Sequence, residues 1–396
     1  MTLRAQDSMG ARERVVRIKS LNATEYAAGS EVYVPMDNVV GAPAVVGDGR
    51  IGHFTRIYLR LRATFITAIG VNGQPGALCA AIAQNIRVRA AATDLIDGGQ
   101  MDGEDFNAIA TEVARAAVVS PVSALVNVVN AAYDAGDIWV CIPLAKPSRD
   151  RFSRCGDGAI PVAAFDRRLD AEHGLRFKLA AAGDRCKAFA SATLGAFTAV
   201  DVFGVYRTDT DPQVILPGFR AYTEAQASFD LDPIGGAGGT HELLSIFDPP
   251  VAATGARAYT SYSNLSARLG ADQLYTGENF TTLTDMFNLV DWVYPGGVDW
   301  RNRLTPSSSL PLIQRRADNP VLEDAYGRLS INIGTRPGAS QRLLQAGRRV
   351  YSSEVAARIN ASLGGGYTSR RSTPASLNEA ATANRAALVL DQKLSK

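Results

Sequence analysis

The stretch that most constrains this chain is HFTRIYLRLRATF, residues 53–65. Phe54, Ile57, Leu59, Leu61 and Ala63 alternate with Arg56, Arg60 and Arg62 at a period near two. A pleated strand with one apolar and one cationic face is the regular structure that sorts those residues. NIRVRA (85–90), LRFKLA (175–180) and FTAVDVFGVYRT (197–208) repeat the pattern. DIWVCIPLAKP (137–147) reads as a buried strand stopped by a proline, and a long polar loop, SRDRFSRCGDGAIP, follows it. The same grammar returns in YGRLSINIGTRPG (326–338), where Leu329, Ile331 and Ile333 alternate.

Further strand candidates are HELLSIFDPP (241–250), closed by paired prolines, and NLVDWVY (288–294). RRVYSSEVAARI (348–359) suits a strand at its start and a helix from Glu354 onward. One helix interrupts the first series. GEDFNAIATEVARAA (103–117) sets Phe106, Ile109, Ala110 and Val113 at helical spacing behind acidic capping residues. Short strands with long, turn-rich connections predict an all-β chain of sandwiches or barrels. Two such units in tandem, each with oversized loops at one end, predict two eight-stranded jelly rolls, with a few helices in loops and at the termini.

The boundaries follow from composition. Residues 1–49 read as an N-terminal arm leading into the fold, and 50–208 as the first jelly roll. Residues 209–240 read as a linker, on the two prolines of DTDPQVILPGFRAY and the glycines of GGAGG. Residues 241–363 read as the second roll with long loops. Residues 364–396 read as a hinge and a C-terminal helix: Gly364 to Gly366 free the backbone, and SLNE (376–379) is a capping box opening an Ala-rich helix to about residue 394. Its apolar stripe is thin, with Leu377, Leu388, Leu390 and Leu394 as its large apolar groups. Such a helix needs a docking groove.

Bulk properties narrow the function classes. With 46% hydrophobic and 20% charged residues, the chain folds rather than staying disordered. Apolar runs such as residues 116–133 are broken by Ser, Pro and Asn short of a membrane span. The N-terminus lacks the apolar core of a secretory signal, which predicts a soluble product made in the cytoplasm. A net charge of +2 argues against a dedicated nucleic-acid binder. The 41 basic side chains divide into 6 Lys and 35 Arg, a bias that suits extensive interfaces and equally an Arg-favouring codon usage.

Chemistry-bearing constellations are thin. His53, His173 and His241 are isolated from other ligand types, and Cys79, Cys141, Cys155 and Cys186 are spaced too widely for a zinc or redox motif. GDGRIG (47–52) matches a dinucleotide fingerprint by letter, but a strand follows it where a helix is required, and GGAGGT (235–240) lacks the lysine of a P-loop. DLIDGGQMDGED (94–105) gathers five acids, enough for a calcium site, but the alternating D-x-D-x-D-G pattern is absent and acids at a helix N-terminus account for most of them. No catalytic, cofactor or metal residue is assigned, and no cofactor is expected. A carbohydrate-binding or hydrolytic β-sandwich is the alternative, with Trp139, Trp292 and Trp300 as stacking surfaces and Asp291 with Asp299 as the carboxylate pair. A virion accessory or spike protein is a third reading.

DIWVCIPLAKPSRDRFSRCGDGAI, LRFKLA and FTAVDVFGVYRTDTDPQVILPGF, in that order, resemble the end of the first domain and the interdomain passage of double jelly-roll major capsid proteins of tailless, internal-membrane phages, the adenovirus-hexon-like lineage. HELLSIFDPPV resembles the strand opening their second roll, and DAYGRLSINIG with RLLQAGRRVYSSE the strands that close it. The likeness spans about residues 50–355; the insertion after Tyr294 and the capped C-terminal helix depart from it. The resemblance implies a non-enzymatic capsid protein of the virion shell, made in the host cytoplasm. It implies a homotrimer of pseudo-hexagonal outline tiling icosahedral facets. Implied partners are itself, neighbouring capsomers, penton or minor capsid proteins and an internal lipid membrane, with no sequence-specific nucleic acid. It also implies that the N-terminal segment lies beneath the shell. There Arg4, Arg12, Arg14, Arg17 and Lys19 would face the membrane or interior, while Leu377, Leu388, Leu390 and Leu394 would tie neighbouring capsomers.

Overall fold

The computed structural model describes residues 13–46, 50–65, 82–116, 136–144, 160–183, 194–209, 216–224, 227–235, 241, 243–247, 263–279, 310–314, 328–335 and 341–349. Among them the chain is built of antiparallel sheets. In the first unit, β1 (Glu13–Ser20), β9 (Leu194–Asp209), β3 (Ile51–Phe65) and β6 (Gly136–Pro143) pair in that order, and β7 (Ile160–Pro161) adds to β3. Its second sheet runs β2 (Glu31–Val34), β8 (Gly174–Leu179), β4 (Ala83–Ala90), β5 (Thr93–Asp94). In the second unit the sheets are β10 (Leu216–Glu224), β17 (Gln341–Arg349), β12 (Leu243–Phe247), β15 (Leu310–Gln314) and β11 (Ser228–Leu231), β16 (Leu329–Thr335), β13 (Ser263–Leu269), β14 (Asp272–Glu278).

Numbering the eight main strands of each unit in chain order gives first–eighth–third–sixth in one sheet and second–seventh–fourth–fifth in the other, identically in both units. That order defines a jelly roll. The chain is therefore a tandem of two.

The start of each roll shifts from that expected. Residues 13–20 and 31–34, expected in an arm, are the first two strands of the roll. β1 pairs along β9 from Glu13↔Arg207 to Ser20↔Asp201, and β2 pairs along β8. β1 escapes a sequence reading because it is an edge strand whose outward residues Arg17 and Lys19 guard the open edge, so it looks like a basic tail. Residues 216–224 and 228–231, expected in a linker, open the second roll in the same way. Pro217 had suggested a linker, but a proline is tolerated on an edge strand such as β10. The expected strand at 288–294 and the C-terminal helix lie outside the described residues.

The alternation in β3 holds as read: Ile57, Leu59, Leu61 and Ala63 are fully buried, while Arg56, Arg60 and Arg62 face outward and are half-buried. Phe54 sits edge-on to Phe165 and Tyr206, with centroids 6.0 and 6.3 Å apart, at the centre of the first core. Each such side chain contributes about 1.5–3 kcal/mol on burial. The helix α1 (Gly103–Ala116) forms where the apolar spacing predicted. Asp102 and Asp105 bracket its start: the Asp102 N–H donates to the Asp105 carboxylate at 2.8 Å, and the Asp102 carboxylate accepts from the Asn85 N–H at 3.1 Å. First-turn acids also match the helix dipole.

One local feature was illegible. β4 and β5 are joined by the two residues Ala91 and Ala92, both with positive φ (51° and 56°). A two-residue hairpin needs that conformation at both positions, which normally selects Asn or Gly. Alanine there costs on the order of 1 kcal/mol or more per residue, so other contacts must hold the turn.

Candidate functional site

Two regions concentrate charged, aromatic and close-packed contacts among the described residues: the seam between the rolls and the outer face of the first sheet. At the seam, residues following β5 leave the first roll and hook onto the edge of the second. The Leu95 carbonyl accepts from the Phe219 N–H at 2.8 Å, and the Asp97 N–H donates to the Phe219 carbonyl at 2.7 Å, so Ile96 bridges Phe219 as a short parallel strand. β10 is the open edge of its sheet, and this added segment closes it.

Charge then fixes the register. The Arg220 guanidinium pairs with the Asp97 carboxylate, donates through Nε to the Asp97 carbonyl at 2.6 Å, and reaches the Asp232 carbonyl at 3.4 Å. The Gly235 N–H donates to the same carboxylate at 2.9 Å. Gly99 passes so close to β10 that a Cβ there would lie 2.1 Å from the Ala221 carbonyl oxygen, and its φ of +74° is one that glycine adopts without strain.

Helix α1 fills the space behind this hook. Phe106 is fully buried, edge-on to Phe219 with ring centroids 5.4 Å apart. One turn face on, the Asn107 side chain donates to the Trp139 carbonyl (2.8 Å) and accepts from the Cys141 N–H (2.8 Å), which caps the edge strand β6. The helix thus seals an edge of one roll and covers a face of the other. Phe219 and Ala221 of β10, Leu344 and Ala346 of β17 and Leu243 of β12 all belong to one buried cluster with the first roll's core.

The acidic loop 94–105 accordingly has structural partners. Asp97 serves the seam, the Asp105 carboxylate caps the start of α1, Asp102 accepts from the Asn85 N–H, and Asp94 pairs with Arg89 at 3.2 Å. Among the described residues no three His, Cys, Asp or Glu side chains converge as a metal site.

The second surface is the outer face of β1-β9-β3-β6. Trp139 packs edge-on to Tyr58 at 6.3 Å and tilted against Phe203 at 5.8 Å. Guanidinium groups lie over these rings, Arg17 over Phe203 at 5.3 Å and Arg60 over Trp139 at 6.0 Å, and Arg60 also reaches Asp201 at 3.4 Å. Such contacts are worth about 0.5–1 kcal/mol where exposed. Arg14 sits over the Tyr206 ring at 5.0 Å and donates to the Gly41 carbonyl, and Lys19 pairs with Glu25, whose carboxyl is held below its usual range first by that bond. So Arg14, Arg17 and Lys19 are strand residues with intramolecular partners; Arg4, Arg12 and the leucines Leu377, Leu388, Leu390 and Leu394 lie outside the described residues.

Beside this face, burial pushes the Cys141 thiol up to about 11 and the Tyr58 hydroxyl up to about 12. Both stay protonated at neutral pH, so Cys141 is no thiolate nucleophile. Trp139, weighed as a sugar-stacking surface, is occupied by its own ring neighbours; Trp292, Trp300, Asp291 and Asp299 lie outside the described residues. Sequence reasoning missed Asp97, Gly99 and Arg220 as a unit, because half of it lay in a presumed linker. The signal available was Gly98–Gly99 beside an acidic residue, a backbone built for close approach.

No protein-family model and no curated protein matches the chain. Among solved structures, it is similar to the major capsid protein P2 of bacteriophage PM2, with 12% identity, a TM-score of 0.41, and coverage of 86% of this chain and 98% of that one. A structure from Sulfolobus turreted icosahedral virus gives 9% identity, a TM-score of 0.44, and coverage of 89% and 98%. The Faustovirus major capsid protein gives 8%, 0.37, and coverage of 85% and 88%. The jelly-roll assignment rests on the hydrogen-bonded strand order itself.

Proposed function

We propose that the chain is a major capsid protein that self-assembles as a homotrimer and tiles the facets of an icosahedral virion. One observation carries this reading: the same jelly-roll strand order occurs twice, in two rolls joined by a buried seam. Three such subunits around a threefold axis present six similar rolls, an outline that is nearly hexagonal and packs in a plane. A heterogeneous pair of sandwiches, as in many modular hydrolases, has no such reason to repeat one topology.

The path of the chain supports an inside and an outside. β1 starts opposite the end of β9 (Glu13↔Arg207), and β10 starts opposite the end of β17 (Leu216↔Arg349). Residues 210–215 connect the two, a reach of at most about 25 Å. The start of the described chain, its crossing between rolls and its exit to residues 350–396 therefore share one end of the subunit. In this proposal that end faces the shell interior. Arg4 and Arg12, with Arg14 near the start of β1, would meet an internal lipid membrane or neighbouring capsomers there, while Arg17 and Lys19 lie farther along the strand on Phe203 and Glu25. Leu377, Leu388, Leu390 and Leu394 would form the tie to a neighbouring capsomer. Penton or minor capsid proteins complete the partner set, the host cytoplasm is the place of synthesis, and the chain has no enzymatic role.

Light scattering of the purified protein tests the first step. The expected mass is three times the 42.1 kDa of the chain, and a monomer at micromolar concentration would reject the proposal. Negative-stain images should show pseudo-hexagonal particles. Truncation after Leu363 tests the tie: trimers keep their melting temperature and fail to form facets.

A further inference from the structure

We propose that His173 is an acid-sensitive catch that holds the seam between the two rolls closed while its imidazole is neutral. The geometry starts at the Ala91–Ala92 turn, whose two left-handed alanines need outside support. Two hydrogen bonds supply it. The Ala91 N–H donates to the Ala164 carbonyl at 2.7 Å, and the Ala92 N–H donates to His173 Nε2 at 2.6 Å.

The tautomer follows from the other ring nitrogen. His173 Nδ1 lies 2.9 Å from the Asp166 carbonyl oxygen, an acceptor, so Nδ1 carries the proton and the neutral ring leaves Nε2 bare to accept. The ring is fully buried. Its backbone is fixed as well: the Tyr33 hydroxyl donates to the His173 carbonyl at 2.6 Å, and Gly174 follows at a φ of +142°, where a Cβ would lie 2.5 Å from the Val34 carbonyl. These contacts hold the backbone of the corner, and both ring nitrogens are engaged.

Protonation at Nε2 turns the acceptor into a donor aimed at another donor. The charged groups around the ring do not offset this. Asp166 is already engaged by Arg168, and Asp170 by the Glu172 N–H and Arg89, while Arg89 itself opposes a second cation. Burial accordingly holds the His173 imidazole below its usual range. The folded form therefore binds fewer protons than the unfolded chain as pH falls from about 6.5. The catch contributes fully above that pH and is lost as pH drops through the lowered folded value.

The turn leads directly to the hook. Only Thr93 and Asp94 separate Ala92 from Leu95, which with Asp97 makes the backbone bonds to Phe219. When the turn relaxes, β5 loses its register and the segment 95–97 loses its aim at β10. The predicted readout is local opening of the seam in acid, with both rolls still folded.

Hydrogen–deuterium exchange of the full chain at about pH 7.5 and about pH 5, corrected for intrinsic rates, tests this. Peptides covering 90–100 and 216–224 are expected to lose protection by about tenfold or more in acid. His173→Gln places a non-titrating carbonyl acceptor near the position of Nε2 and is expected to keep protection at both pH values. Equal protection of the natural protein at both pH values overturns the proposal. So does an equal acid loss in His173→Gln, because His53 or His241 would then be responsible. If His173→Gln does not fold, an NMR titration of the His173 ring in the full chain decides: the loss of amide protection in 90–100 and 216–224 should follow the same midpoint as the ring, and a loss with a different midpoint rejects the catch.

Discussion

The first sheets of the two rolls share a strand order and differ in what covers them. In the first roll, β1-β9-β3-β6 is apolar toward its core and carries Arg17, Arg56, Arg60 and Arg62 outward, interleaved with Tyr58, Phe203 and Trp139. In the second roll, β17 and the start of β12 are buried on both faces. Leu244, Leu343 and Gln345 point one way, while Phe219, Ala221, Leu344, Ala346 and Leu243 point the other, onto α1 and the first roll. A sheet with one solvated face can stand alone; a sheet apolar on both faces needs a cover on each. The first sheet of the second roll is therefore covered by the first roll, whose own first sheet needs no such cover.

Predictions follow that asymmetry in order of size. Phe106→Ala should destabilise the protein by about 3–5 kcal/mol, because it empties a fully buried site shared by both rolls. Denaturant unfolding checks it, and a loss below about 1 kcal/mol would reduce the seam to a rim contact. Gly99→Ala should cost at least about 2 kcal/mol, since the new methyl meets the Ala221 carbonyl and the backbone is left-handed. Limited proteolysis should then cut between the rolls first; unchanged cleavage would argue that the loop yields freely. Asp97→Ala should cost about 1–2 kcal/mol, the lower part of the range for a charged pair, because its side chain remains 30% exposed. Thermal unfolding of the paired variant with Arg220→Ala should show that the two losses overlap. Arg17→Ala, on the solvated face of the first sheet, should change stability by no more than about 0.5 kcal/mol and leave the melting curve nearly superimposable. A large shift there would mean that the first roll also depends on its outer face.

Much of this was legible where the pleat speaks clearly. β3, β6, β8, β9 and β16 were placed within a few residues because each alternates, or runs apolar, over its whole length. α1 was placed because Phe106, Ile109 and Ala110 share a helical face. The edge strands were not. β1 hides its apolar half behind arginines, and β10 contains Pro217, so the features that keep a sheet edge from pairing with strangers also disguise it. The Ala91–Ala92 turn was unreadable for a different reason: its conformation is imposed by His173 and Ala164, distant in sequence, against the local preference of alanine. The seam shared that fate, since Asp97 and Arg220 are 123 residues apart.

Helix α1 also sets a schedule. On a ribosome, Phe106 is made well before the strand that buries it from the other side, and β17 is not complete until residue 349. At about 5–20 residues per second, that leaves the apolar flank of the helix waiting for roughly 10–50 s. The nascent first roll must spend that interval with an adhesive surface turned outward, in a crowd of identical chains. Its cover begins with β10 and is complete only with β17, so the finished seam reports that translation of both rolls has run to completion.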